Sequence, residues 1–231
     1  MKRLRIICFG IFFALAFVVN AAYAKVVFKS SSLLSFYLFT PSDYNLKQKY
    51  PLIIVFHWSY GKGSDMIERW KEQGEKKKYL IACPNSSRSG SWDTAEDGNI
   101  LRMIDSLKKH YNIDESRIYL VGFSAGAVFT YYLGLSNPDK FRAIAAFAGS
   151  FKCLKSVPLS KDSEKHIPVL ILHGSRDNVV DISESEYAQQ QLKDYGYQVK
   201  FIELKGEKHN YPAYVSWAII NWFEKLEKQK D

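Results

Sequence analysis

The segment with the clearest chemical potential is Gly122-Phe123-Ser124-Ala125-Gly126. It follows a β-rich apolar run, Ile118 to Val121, and opens a helix-period run that starts at Ala127. A sharp strand-to-helix turn of this kind lifts its central hydroxyl above the sheet. Small residues are needed two positions to either side, where strand and helix nearly touch. The helix N-terminus then aims its amides and positive dipole end at the reacting centre. A serine hydroxyl is a weak nucleophile until a base takes its proton and a carboxylate orients that base. Both partners are present further along. The run Val169 to Leu172 leads into His173-Gly174-Ser175-Arg176-Asp177, and Val199 to Leu204 leads into Gly206-Glu207-Lys208-His209. Serine, acid and histidine thus follow three strand ends in the chain order expected of such a site. His209 is the only histidine after Asp177. Ser124 is the candidate nucleophile, Asp177 the acid and His209 the base; Asp181, four residues later, is the rival acid.

Acyl transfer also needs amides aimed at the developing oxyanion. The N–H of Ala125, directly after the serine, is one candidate. The other falls in the turn His57-Trp58-Ser59-Tyr60-Gly61, with the Ser59 N–H preferred to that of Trp58. This glycine-bearing turn lacks the spacing of a phosphate loop. Trp58, Tyr60, Trp92 and Phe123 could line a substrate pocket, or simply pack. His57 and His173 end strands ahead of glycine-bearing turns and read as structural residues near the site.

The elements that must position these residues alternate regularly. Apolar runs of strand length are Pro51 to His57, Tyr79 to Cys83, Arg117 to Gly122, Phe141 to Ala148, Val169 to His173 and Val199 to Leu204. Between them lie helix-period segments: Asp65 to Gly74, Asp97 to Tyr111, Ala125 to Ser136, Ser183 to Tyr195 and Pro212 to Lys230. Val26 to Phe28 and Ser35 to Thr40 read as antiparallel edge strands. Strand-helix alternation predicts a mostly parallel central sheet with helices on both faces. Ligands of such sheets sit beyond the carboxyl ends of the strands, where Ser124, Asp177 and His209 fall. No repeat or linker divides the chain.

The first 24 residues carry a different signature. Lys2, Arg3 and Arg5 precede an uncharged apolar run, Ile6 to Val19, and Ala22-Tyr23-Ala24 supplies small residues for cleavage. This predicts a cleaved signal peptide over 1–24 and a single domain over 25–231. The run is too short to span a bilayer as a helix, so no stable membrane anchor is expected after cleavage. The whole chain has 32 Lys+Arg, 24 Asp+Glu and a net charge of +8. Three of those charges lie in the predicted signal, and the remaining basic residues are interspersed with acids. That argues against a nucleic-acid partner. Export also bears on cysteine. Cys8 belongs to the signal, and Cys83 and Cys153 could pair in an oxidising compartment or stay as two buried thiols. No metal motif is present and no cofactor is expected.

With these residues in place, the chain resembles the α/β-hydrolases, and more narrowly the secreted feruloyl esterase and polyhydroxybutyrate depolymerase-like esterases. The resemblance runs from about Pro51 to Trp222. It is carried by Pro-Leu-Ile-Ile-Val-Phe-His, by Ser91-Trp92 ahead of the Asp97 helix, and by Ile113 to Tyr119 running into Gly122-Phe-Ser-Ala-Gly126. His173 to Val180 and His209 to Pro212 match as well. One departure is His57-Trp58, where those esterases usually have His-Gly. The resemblance implies an α/β-hydrolase fold without a large lid domain, and Ser124, Asp177 and His209 as the catalytic residues. The expected protein is an exported serine carboxylic-ester hydrolase, periplasmic or extracellular, acting on a small-molecule or polymeric ester. Alternatives are a peptidase or a thioesterase/lysophospholipase on the same fold, and a binding module that retains the fold without catalysis.

Overall fold

A computed structural model describes residues 25–30, 34–88, 90–152, 157 and 159–229. The predicted signal segment and Cys153 lie outside the described residues. Eight strands form one sheet: β1 (Lys25–Ser30), β2 (Ser35–Thr40), β3 (Tyr50–Phe56), β4 (Leu80–Pro84), β5 (Ile113–Phe123), β6 (Ala143–Phe147), β7 (Val169–Gly174) and β8 (Val199–Leu204). Their order is β1-β2-β4-β3-β5-β6-β7-β8. The pairs β1–β2 and β2–β4 are antiparallel, and all others are parallel. Helices α1 (Gly63–Lys77), α2 (Asp97–His110), α3 (Ala125–Ser136), α4 (Ser183–Asp194) and α5 (Tyr214–Lys228) connect and cover the strands.

Every residue of β3 is buried, as a strand covered on both faces requires. Strand period two sorts its side chains between two cores. Leu52, Ile54 and Phe56 join Ile100, Ile104 and Leu107 of α2, Phe129 and Leu133 of α3, and Leu192 of α4. Ile53 and Val55 pack on the opposite face with Met66 and Trp70 of α1 and Ile219 and Phe223 of α5. The expected doubly covered parallel sheet is present. Among the described residues no helix is long and apolar enough to cross a membrane.

Two boundaries depart from the sequence pattern for local reasons. Helix α1 begins at Gly63 rather than Asp65, because Gly63 lies against β4: a Cβ there would sit 2.2 Å from the Cys83 carbonyl oxygen. Strand β5 reaches back to Ile113, but its register against β3 jumps from Tyr50↔Ile113 to Leu52↔Ile118. Asp114 accounts for the jump by accepting from the Ser116 amide and hydroxyl and from Arg117 Nε, at 3.0, 2.6 and 2.7 Å. Cys83 is fully buried, and burial pushes its thiol pKa well up; its candidate partner Cys153 is among the residues not described.

Candidate active site

The turn between β5 and α3 places Ser124 at φ 56°, ψ −118°, a left-handed backbone that a serine adopts only where its surroundings enforce it. Two glycines show the enforcement. A Cβ at Gly122 would lie 2.0 Å from the Gly126 carbonyl oxygen, and one at Gly126 would lie 2.4 Å from that of Phe56. Strand and helix therefore touch through backbone alone. The Ser124 N–H donates to Phe147 O in β6 at 2.9 Å, which pins the turn to the neighbouring strand.

The structure brings the three expected residues together. Ser124 Oγ lies 3.0 Å from His209 Nε2, and His209 Nδ1 lies 2.6 Å from Asp177 Oδ2. An acceptor-only carboxylate at Nδ1 fixes the imidazole tautomer, with Nδ1–H donating to Asp177 and Nε2 accepting from the serine hydroxyl. Asp177 Oδ1 also accepts the Val179 and Val180 amides, each at 2.9 Å. Burial pushes the Asp177 carboxyl up, but the bonds from His209, Val180 and Val179 together outweigh it and hold the group below the ordinary carboxylate value. Asp181 is exposed and accepts the Ser183 amide at the start of α4, so the rival acid is used elsewhere.

The loops that carry Asp177 and His209 are joined by main chain. Ser175 N–H donates to Leu204 O at 3.0 Å and Arg176 N–H to Glu207 O at 2.8 Å. Gly174 permits this approach, since a Cβ there would lie 2.5 Å from Glu207 O. Tyr211, two residues beyond His209, is buried against Phe123 and Phe147, and its hydroxyl accepts from the Trp70 indole N–H of α1 at 3.1 Å. Phe123 lies under the His209 ring with centroids 5.0 Å apart.

His173 is closer to the chemistry than its sequence context suggested. It is fully buried, its Nδ1 is 2.7 Å from Ser185 Oγ, and its Nε2 is 2.9 Å from Val180 O and 3.4 Å from Asp177 Oδ2. A carbonyl only accepts, so Nε2 carries a hydrogen and donates it to Val180 O. His57 is also structural. Its Nδ1 donates to Trp58 O at 2.7 Å while its Nε2 accepts the Ser86 amide at 3.1 Å. Burial lowers its pKa, which keeps that neutral form.

The turn expected to supply the second oxyanion amide closes through Gly61 N–H to Trp58 O, at 2.9 Å. Its left-handed residue is Tyr60, at φ 62°, not Trp58. The His57-Trp58 departure is thus accommodated without placing Trp58 in strained backbone. The Trp58 ring lies half-buried between the edge of Phe123, at 6.0 Å, and the Arg69 guanidinium, 5.2 Å from its centroid. Ala125 begins α3 beside the serine, and Ser59 occupies the turn, half-buried. Of the four aromatics suggested for a pocket, Phe123 is buried beneath the base. Trp92 packs under the turn, donating its indole N–H to His57 O at 2.8 Å and stacking on Phe129. Tyr60 is 84% exposed.

This strand order, with a serine elbow after β5 and with Asp177 and His209 in the loops after β7 and β8, is the α/β-hydrolase fold. Residues 47–226 match the phospholipase/carboxylesterase family model, and the chain belongs to that family. It is 28% identical over 185 residues to the bifunctional acetylxylan esterase/xylanase of Neocallimastix patriciarum, covering 76% of this chain and 26% of that protein. It is 30% identical over 125 residues to poly(3-hydroxyalkanoate) depolymerase C of Paucimonas lemoignei, covering 46% and 30% respectively. The chain therefore matches less than a third of the length of these two relatives. The structure of a ferulic acid esterase from Anaeromyces mucronatus superposes with a TM-score of 0.67 at 19% identity, covering 96% of this chain and 97% of that one.

Proposed function

We propose that the protein is an exported serine carboxylic-ester hydrolase that works through an acyl-enzyme on an accessible or polymeric ester. The observation that carries this is the continuous relay from Ser124 Oγ through His209 to Asp177, at 3.0 and 2.6 Å. Membership of a carboxylesterase family and likeness to acetylxylan esterases support the ester as substrate.

In the first half-reaction the Ser124 oxygen attacks the ester carbonyl carbon while its proton passes to His209 Nε2. The carbonyl π pair moves onto oxygen and is held by the amides of Ala125 and Ser59. Asp177, already ionised, stabilises the imidazolium and keeps it oriented. Collapse of the intermediate expels the alcohol, which takes the proton from Nε2 and leaves an acyl-Ser124. Water then repeats the sequence: its proton goes to His209, its oxygen joins the acyl carbon, and the Ser124 oxygen leaves with the proton. The segment over 1–24 would direct the protein to a periplasm or the exterior.

Ser124→Ala is expected to lower hydrolysis of 4-nitrophenyl acetate by roughly 10⁶-fold with the fold retained. Wild-type turnover in that variant would refute the assignment. Parallel assays with ester, thioester and peptide substrates separate the ester reading from the other acyl-transfer chemistries of this fold.

A further inference from the structure

His57 and His173 both stand at the ends of buried strands beside the elbow, but their rings are put to different uses. The His57 ring holds its own turn, through Trp58 O and the Ser86 amide. The His173 ring reaches the turn that carries Asp177. Its Nε2 is 2.9 Å from Val180 O and 3.4 Å from Asp177 Oδ2, and its Nδ1 is 2.7 Å from Ser185 Oγ in the first turn of α4. His173 and Ser185 are both 0% exposed. The Nε2–H therefore ties the end of β7 to the far end of the Asp177–Val180 turn, and Ser185 fixes the ring from the other side.

That turn is otherwise open. Asn178 and Val179 face solvent, and Val179 is 68% exposed. Inside the turn, Asp177 Oδ1 takes the Val179 and Val180 amides, which leaves Oδ2 for His209 Nδ1. The direction of Oδ2 is thus set by where those two amides lie, and the Val180 carbonyl that follows them is what His173 holds. The 3.4 Å contact from Nε2 to Oδ2 is longer than an ordinary hydrogen bond, but it sets an N–H edge beside the oxygen that meets His209. A leucine at this strand end would serve packing alone. A fully buried imidazole loses its hydration, and that loss is offset only while its ring nitrogens keep their partners. The ring therefore favours one position of the turn over the others.

We propose that His173 is a positioning residue: by holding Val180 O, with Ser185 steadying the ring, it aims the Asp177 carboxylate at His209 Nδ1. The proposal rests on the serine-hydrolase reading and involves no proton transfer to or from His173 itself.

Two substitutions separate aiming from filling space. His173→Gln brings an amide N–H to the place of Nε2, and His173→Leu brings no donor. His173→Leu is expected to lower kcat for 4-nitrophenyl acetate by about 30-fold with KM little changed, and His173→Gln to recover most of that loss. In an Asp177→Asn background, with no carboxylate to aim, His173→Leu is expected to change kcat by less than about twofold. The far-downfield proton resonance of His209 Nδ1–H reads the same aim without substrate. It is expected to shift in His173→Leu and to stay in place in His173→Gln. Should His173→Leu not fold, Ser185→Ala carries the same readouts, with a fall in kcat of about threefold. An equal loss in the wild-type and Asp177→Asn backgrounds, a change confined to KM, or an unaltered His209 resonance would overturn the proposal. The resonance also keeps the two claims apart. Ester turnover with an unaltered resonance removes the positioning role alone. A resonance that responds in a protein that hydrolyses no ester supports the positioning and removes the esterase reading.

Discussion

The two sides of the Ser124 elbow are built by different means. On the acid–base side, the loops after β7 and β8 are joined by backbone hydrogen bonds and by the close approach at Gly174, and Asp177 is held by two further amides. On the oxyanion side, the turn after β3 hangs on side chains: the His57 ring, the Trp92 indole and, behind Ser86, the Glu96 carboxylate. A backbone-built frame depends on few side-chain identities beyond its glycine. A side-chain-built turn can be loosened one bond at a time. The relay side should therefore fail abruptly, and the oxyanion side by degrees.

The sharpest break is at the relay itself. Asp177→Asn keeps two amide bonds but cannot hold the Nδ1–H tautomer in the same way, and kcat should fall by about 10⁴-fold with the fold intact. The same variant bears on pH. The Asp177 pKa is below its ordinary value in the native state, so its contribution to stability is present above the ordinary carboxylate range and is lost as pH falls through the native value. Denaturant titrations across acid pH should show a shallower loss of stability in Asp177→Asn than in the wild type.

Gly174→Ala is expected to push the His209 loop away from β7 and cost about 1–3 kcal/mol, measured by urea unfolding, with a loss of activity. An unchanged variant would mean that the two loops are less tightly joined than their backbone contacts imply. The smallest effect is expected on the other side. Trp92→Phe removes one hydrogen bond to His57 O and retains most of the stacking, costing about 0.5–1.5 kcal/mol of stability. Its kcat should fall several-fold while KM for a small ester changes little, as expected of a turn that supplies the proposed oxyanion amide. A loss as large as that of Asp177→Asn would erase the proposed difference between the two sides.

The sheet, its helices and the three relay residues were readable because each has a local signature. Strand runs have a period, the elbow has fixed small residues, and acid and base each follow a strand end. The supporting contacts have no such signature. Trp70 and Tyr211 are 141 residues apart and meet only because α1 and the His209 loop lie on the same face of the sheet. His173 looked like a strand-ending residue, and its contact with Asp177 depends on how the following loop folds back over it. For Trp92 the sequence left pocket lining and packing both open, and its indole N–H to the His57 carbonyl joins residues 35 apart in the chain. The left-handed residue of the turn after β3 is Tyr60, so no glycine or asparagine at that position announces it in the sequence.

The central claim, that Ser124 forms a covalent acyl intermediate, is most directly tested by rapid quenching of a reaction with 4-nitrophenyl acetate, followed by peptide mass spectrometry. The account predicts an acetyl group on Ser124, accumulating with a burst of nitrophenol and abolished in Ser124→Ala. Turnover with no acylated Ser124 at any quench time, or acetyl on another residue that persists in the variant, would contradict it.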